Sequence, residues 1–477
     1  MSFRGYEAVI GIEIHVQLST QSKIFSSDAT AFDASDNENT SPVSVGMPGS
    51  LPVLNKKVIE YAIKTGLALG CEIRNHSTFS RKNYFYPDLP KGYQISQYDK
   101  PICENGRLTF TVDGEEKTIR ITRAHIEEDA GKSTHHGEYT LVNYNRAGVP
   151  LLEVVSAPDL RTPKEAAEYC RTIRQIVRYL NVCDGNLEEG SLRCDCNVSI
   201  RKVSDNHLGT RVEIKNLNSF RFVEKAIEYE IDRQIDASER GEKIIQETRL
   251  WDTDKNRTFT MRTKEDAQDY RYFPDPDLLP IAILESQIAE YRDEIPELPL
   301  ARSRRFMLEH GLPEYDAHVL TNEKPMADFY EATALNSKNY KVTSNWIMTE
   351  VIRELNLAQK EIDQCPVSPE NLGRLIFKID RAEISGKMAK VIFQEMWRTG
   401  LSPDSIIKNM GLAQISDRAA IEKIIDKVFD ENQGAVLEFK SGKKKNLFGF
   451  FVGAVMKESR GQANPDIVNQ ILQEKLK

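Results

Sequence analysis

Hydrophobic and polar positions alternate almost without a break through IGIEIHVQL, residues 10–18. Ile12, Ile14, Val16 and Leu18 fall on one side of an extended chain, and Glu13, His15 and Gln17 on the other. The same reading predicts strands over 8–18, 107–112, 117–126, 139–144, 150–156, 195–201 and 210–215. Helices are predicted over 55–70, 163–181 and 219–240, the first and third with apolar residues at three-and-four spacing. Asp113-Gly114, between two alternating runs, marks a tight hairpin, and such hairpin signals outnumber βαβ units. The expectation is an α+β domain with a mostly antiparallel sheet. A proline cluster (Pro274, Pro276, Pro280, Pro296, Pro299) then changes the texture, and helical patterns run to the end. A second break falls at GLSPDS, 400–405. Three domains are therefore expected: an α+β domain over 1–292, an all-α domain over 293–404 and a small all-α tail over 405–477.

Composition agrees with that count, since 477 residues suit three domains of roughly 150 each. The net charge of −8 argues against a chain coated in nucleic acid, but the average hides segregation. Residues 405–477 carry a net +3 and the residues before them −11. Within that tail, GKKKNLFGFFVGAVMKESRGQANP sets Lys443, Lys444 and Lys445 ahead of a helix followed by Lys457 and Arg460. A solvated loop is the plain reading; contact with a phosphate backbone fits the contrast in charge better. Seven cysteines in a chain this long read as reduced thiols of the cytosol, not a disulfide framework. The start shows neither a signal peptide nor a transit peptide, and the longest apolar run, residues 447–456, is too short to span a bilayer. A soluble, cytoplasmic protein with no membrane partner is expected.

The candidate chemistry begins on the opening strand. Side chains at i and i+2 share a face roughly 6.6 Å apart, so Glu13 and His15 can lean onto one cation. HIEEDAGKSTHH, 125–136, adds Glu128 within a run of three acids, and PLLEVVSAPDL, 150–160, puts Glu153 inside an apolar strand. A carboxylate there is costly to bury unless paired with a cation. Glu13, His15, Glu128 and Glu153 form a mixed oxygen/nitrogen set whose oxygens suit Mg²⁺ or Mn²⁺ and whose one imidazole leans toward Mn²⁺ or Zn²⁺, with ion pairs to arginine as the alternative. AGKST, 130–134, imitates the end of a P-loop, but Ile126 stands where that motif needs glycine. RKNYFYPDLPKGYQISQYDKPI, 81–102, is a better phosphate candidate: Arg81, Lys82 and Lys91 lie among Tyr84, Tyr86, Tyr93 and Tyr98. Lysines over aromatic rings suit a nucleotide, against the plain reading of a surface loop. In EEGSLRCDCNVSI, 188–200, alternation puts Arg193 and Asp195 on one face and Cys194 and Cys196 on the other. Arg193 can steady a transferring phosphoryl group and Asp195 can join a second metal, or the two simply pair.

These strings, with NRAGVPLLEVVS, KNLNSF, DYRYFPDPDL and GQANP, resemble the B subunit of the aspartyl/glutamyl-tRNA amidotransferases over essentially the whole chain. Cys196 and Met47 are small departures that touch no proposed ligand. The resemblance implies a cradle domain with the active site, a helical domain and a tail that grips tRNA. It implies a heterotrimer with an amidase subunit and a small third subunit, acting on mischarged tRNA-Gln or tRNA-Asn with ATP and Mg²⁺. By position it carries the metal site onto Glu13, His15, Glu128 and Glu153, and places Lys82 and Lys91 in the nucleotide loop. No amidase motif or framed catalytic cysteine is found, so glutamine hydrolysis is expected in a partner. A tRNA-binding scaffold and a metal-dependent nuclease are the competing classes. The carboxylate-and-histidine strand counts against the first and the tyrosine–lysine loop against the second.

Overall fold

The computed structural model describes residues 3–205, 207–263, 269–411, 415, 417–440, 447–459 and 462–476. Its compact units are Met1–Leu300 and Ala301–Lys477. The first is built on a twelve-stranded sheet. Its strands are β1 (Tyr6–Gln17), β2 (Glu72–Ile73), β3 (Ser80–Asn83), β4 (Tyr93–Ser96), β5 (Cys103–Val112) and β6 (Glu115–Glu128). They continue with β7 (Pro150–Ser156), β8 (Leu192–Lys202), β9 (Val212–Leu217), β10 (Glu247–Asp252), β11 (Arg257–Thr263) and β12 (Phe273–Pro274). The order across the sheet is β11-β10-β9-β8-β1-β7-β6-β4-β3-β12, with β5 also on β6 and β2 on β5. The β9–β10 pair is parallel and every other pair in this sheet antiparallel.

The opening strand is central because both its faces have work. Ile10, Ile12, Ile14 and Val16 are fully buried in the core. Helices α1 (Lys56–Ala68), α2 (Pro163–Tyr179) and α3 (Phe220–Glu239) contribute Val58, Ile173 and Ile227 to the same core. α2 begins where its sequence says it must: Thr162 caps Glu165 N–H, the Glu165 side chain returns the bond, and Pro163 occupies the first turn. The Asp113-Gly114 hairpin joins β5 and β6, both turn residues adopting the positive φ such a turn demands. The expectation of strands and helices built on a mostly antiparallel sheet holds for this region. Ser80–Asn83 and Tyr93–Ser96, read from the sequence as part of a stiffened loop, form the paired strands β3 and β4. The β10–β11 hairpin carried no strand prediction either.

Between β1 and α1, a long segment without a regular element is pinned by one buried cation. Lys23 Nζ donates to Asn39 O at 2.6 Å, Tyr144 O at 3.2 Å and Ser44 Oγ at 3.4 Å. Burial pushes this ammonium down to about 8, with Asp28 and Glu128 opposing. Lys23→Met should strand those acceptors and cost about 2 kcal/mol, read as a lower denaturant midpoint.

From Glu314 onward the described elements are helical. Phe306, Tyr330, Leu372, Leu375 and Phe393 belong to one apolar cluster of the second unit. Ile421, Ile425, Phe451, Val455 and Ile471, from helices Arg418–Glu431, Leu447–Glu458 and Pro465–Lys475, belong to another. Among the described residues no helix is long and apolar enough to cross a membrane.

Candidate functional site

The site grows from the polar face of β1. Register sets His15 opposite Glu153 on β7 and Arg193 on β8, and Glu153 in turn opposite His125 on β6. Residues directly opposite share a face, and the period of two adds Glu127 and Glu13. His15 Nε2 lies 3.4 Å from Glu153 Oε2 and 3.8 Å from Glu127 Oε1. His125 Nε2 lies 3.6 Å from the same Glu153 oxygen and 3.9 Å from Glu127 Oε2.

The charges in this cluster are strongly coupled to burial. Burial works to lower His15, but the hydrogen bond and charge of Glu153, with Glu127 behind it, hold it at about 9. Burial takes His125 down to about 4, against the pull of Glu153. Glu127 is pushed up to about 7, first by burial and then by the negative charge of Glu153. Burial would raise Glu153 too, yet the imidazoles of His125 and His15 hold it below the usual carboxylate range. A carboxyl raised to about 7, first by burial and then by a second carboxylate, is one that a bound cation would return to its charged form. The donor atoms of His15, Glu127 and Glu153 lie within 4.8 Å of one another. One nitrogen and two carboxylates in that space fit a hard divalent cation.

A second cluster sits beside the first. Donor atoms of Glu13, Asp195 and Glu213 also fall within 4.8 Å of each other. Here the protein supplies the cation: Lys215 Nζ is 2.5 Å from Asp195 and 3.0 Å from Glu213. Asn197 donates to Glu13 Oε1 at 3.0 Å. Burial, then the charges of Glu153, Asp195 and Glu213, raise the Glu13 carboxyl, and Lys215 opposes them.

Of the four residues expected to hold a metal, the structure brings His15 and Glu153 together and sets Glu13 in the neighbouring cluster. Glu128 joins neither. It shares the side of β6 occupied by the core residues Ala124 and Ile126. There both its oxygens bond Lys91 Nζ and one accepts Ile95 N–H at 2.8 Å. Glu127 stands where Glu128 was expected. Among the described residues Arg193 does not pair with Asp195; it donates to Asp129 at 2.7 Å, and its buried Nε has no partner there. Asp195 takes Lys215 instead.

The aromatic loop lies along the same cluster. Lys82 Nζ is 4.9 Å from the Tyr270 ring centre and 5.7 Å from Tyr84. It has no hydrogen bond or ion pair among the described residues. Tyr84 meets Tyr270 edge-on, and Tyr98 stacks on Tyr272 at 4.1 Å. Lys91 is engaged by Glu128, and Arg81 by Asp275 and Asp277. Sequence reasoning missed His125, Glu127, Lys215, Tyr270 and Tyr272. His125, Glu127, Tyr270 and Tyr272 lay inside strings dense in acids or tyrosines, and Lys215 at the start of KNLNSF carried no such signal. In the tail, Lys457 is exposed near the end of its helix, while Lys443, Lys444, Lys445 and Arg460 lie outside the described residues.

Comparison with known proteins gives the same frame. Residues 8–289 match the GatB/GatE catalytic domain and residues 328–476 the GatB domain. The chain is 73% identical to the B subunit of an aspartyl/glutamyl-tRNA(Asn/Gln) amidotransferase from Bdellovibrio bacteriovorus, over the whole of both chains. It is 54% identical to the protein of the same name in Geobacter sulfurreducens and 52% to that of Carboxydothermus hydrogenoformans, with 99% of each chain covered. Matched end to end, and with two carboxylate clusters on one polar strand face, the chain belongs to the B-subunit family of the aspartyl/glutamyl-tRNA(Asn/Gln) amidotransferases.

Proposed function

We propose that this chain activates the side-chain carboxylate of Glu on tRNA-Gln, or of Asp on tRNA-Asn, and amidates it. A carboxylate is a poor acyl acceptor for ammonia because an oxide would have to leave. Its oxygen therefore attacks the γ-phosphorus of ATP, the bond to ADP breaks, and an acyl phosphate forms. Ammonia then attacks the acyl carbon, phosphate leaves and the amide remains. Such transfer is largely positioning and charge neutralisation.

The observation that carries this reading is the convergence of His15, Glu127 and Glu153 beside the unpaired Lys82. Those three residues would hold Mg²⁺, which supplies charge neutralisation for the polyphosphate. Lys82 is free to take a phosphate oxygen, and Tyr84 with Tyr270 offers rings for the base. Arg193, anchored by Asp129 and a third exposed, can turn its guanidinium charge to the developing phosphoryl charge. Asn197 bonds Glu13, and the charge of Lys215 offsets the repulsion between Glu13 and Asp195. Ammonia must come from elsewhere. Burial pushes the Cys71 and Cys183 thiols up to about 12 and those of Cys103 and Cys196 well above their usual range, and a hydrogen bond with Cys170, then burial, does the same to Cys194. That supports a partner glutaminase subunit, with a small third subunit completing a heterotrimer. Residues 1–292 would be the catalytic cradle, 293–404 a helical domain and 405–477 the tail that holds tRNA through its lysines and Arg460.

The test uses the assembled complex with mischarged tRNA, ATP, Mg²⁺ and ammonium chloride, without glutamine. ADP and amide should form together only with the mischarged tRNA, and His15→Ala should lower both by about 10² or more. Equal ADP formation by His15→Ala would overturn the assignment.

A further inference from the structure

A cavity of about 250 Å³ opens on the polar face of the sheet, one step along β1 from Glu13. Its floor is Val9 and Gly11 with their register partners Ser199 and Asn197 on β8. Val155 and Pro158 form one wall. The other is the turn carrying Leu208 and Arg211. That turn is held close: a Cβ at Gly209 would lie 2.1 Å from Ile200 O, so only glycine lets the backbone settle against β8. Leu208 is left 63% exposed. Arg211 is exposed as well, with no hydrogen bond or ion pair among the described residues.

We propose that this cavity receives the terminal adenosine of the aminoacyl-tRNA, with Arg211 on the phosphate that precedes it. The inference rests on the activation reading given above and names where that reaction's acceptor is held. Leu208, Val155 and Pro158 provide the apolar surfaces a base packs against. Asn197 spends its amide N–H on Glu13. Its carboxamide oxygen has no partner among the described residues and suits an exocyclic amine. Ser156 Oγ accepts Ile12 N–H at 2.8 Å and keeps its own proton to donate.

Distance and charge favour this placement. Gly11 to His15 is four residues of strand, roughly 13 Å. A glutamyl ester extended from the ribose to its side-chain carboxyl spans roughly 6 Å. A nucleoside whose base sits over Gly11 and Asn197 and whose ribose reaches the level of Glu13, roughly 6.6 Å along the strand, therefore delivers that carboxyl to the His15–Glu153 pair. Lys82 and its tyrosines lie on the β6 side of that pair, which leaves the Glu13 side for the acceptor. A cavity of about 230 Å³ at the other end of β1, beside Gln17, is lined by Asp184 and Glu189, which repel an RNA backbone.

Gly11→Val tests the cavity with little strain. A Cβ there meets nothing nearer than Pro158 Cα at 3.9 Å, so the new side chain occupies the cavity. In the assembled complex, Gly11→Val should raise KM for mischarged tRNA at least tenfold and leave KM for ATP as in wild type. Arg211→Gln, at an exposed and unpaired position, provides a second reading if the first variant does not fold. It should raise the same KM about fivefold and flatten its salt dependence. Wild-type KM for mischarged tRNA in a folded variant overturns the proposal. A rise confined to KM for ATP also overturns it, placing the adenosine of ATP in the cavity. Wild type that makes no ADP with mischarged tRNA overturns the activation reading itself; tRNA-dependent ADP formation in wild type isolates a failure to the cavity alone.

Discussion

Glu127→Gln should abolish ATP-dependent amidation and ADP formation, by 10²–10³-fold or more, while Glu128→Gln retains most of the ADP formation. The neighbours are chemically identical and differ in the face of β6 they occupy. Glu127 lies 3.8 Å from His15 and 3.9 Å from His125, where burial first, and the charge of Glu153 second, push its carboxyl up to about 7. An amide of the same shape keeps the packing and removes the charge that would hold a divalent cation. Glu128 is bonded to Lys91 and Ile95 N–H on the core side. Its loss unpairs Lys91 and costs stability, which a lower unfolding midpoint would report. The comparison uses ammonium chloride in the assembled complex, with glutaminase activity as the check on integrity. Equal losses in the two variants would remove Glu127 from its special place.

Lys215→Met should destabilise the first unit by about 2–3 kcal/mol and suppress activation. Lys215 is the cation among Glu13, Asp195 and Glu213, and its own ammonium is held above the usual range by Asp195 and Glu213 despite burial. Removing it leaves three carboxylates in mutual repulsion. Its side chain is 30% exposed, so water screens part of that cost and the figure sits below the full penalty for a broken buried pair. Adding Asp195→Asn should recover about half of the lost stability, since the repulsion falls with the charge. Mg²⁺ should stabilise the single variant more than wild type, because the vacated position suits a hard cation. Strictly additive losses, with no response to Mg²⁺, would show that the three acids do not act as one cluster. Unfolding midpoints with and without Mg²⁺ decide it.

Local pattern carried much of this molecule. The alternation in IGIEIHVQL fixes which side of β1 is polar, because a strand has a period of two whatever it pairs with. Asp113-Gly114 and the Thr162-Pro163 start of α2 were legible for the same reason: caps and turns are made by adjacent residues. Strands β3 and β4 were hidden because prolines and glycine around them read as a loop, and pairing with distant partners overrides that propensity.

The sequence by itself determined the polar faces, the helices of the first unit and the strings in which the clustered residues lie. It did not determine which of them meet. HIEEDA offers three acids in succession, and only the pairing of β6 with β7 turns Glu127 toward His15, Glu128 toward Lys91 and Asp129 toward Arg193. Likewise, Arg193 and Asp195 share a face as alternation requires, yet each finds a partner from another strand or loop. A period-two pattern encodes direction locally, whereas register joins residues more than a hundred positions apart, and that long-range choice assembles the site.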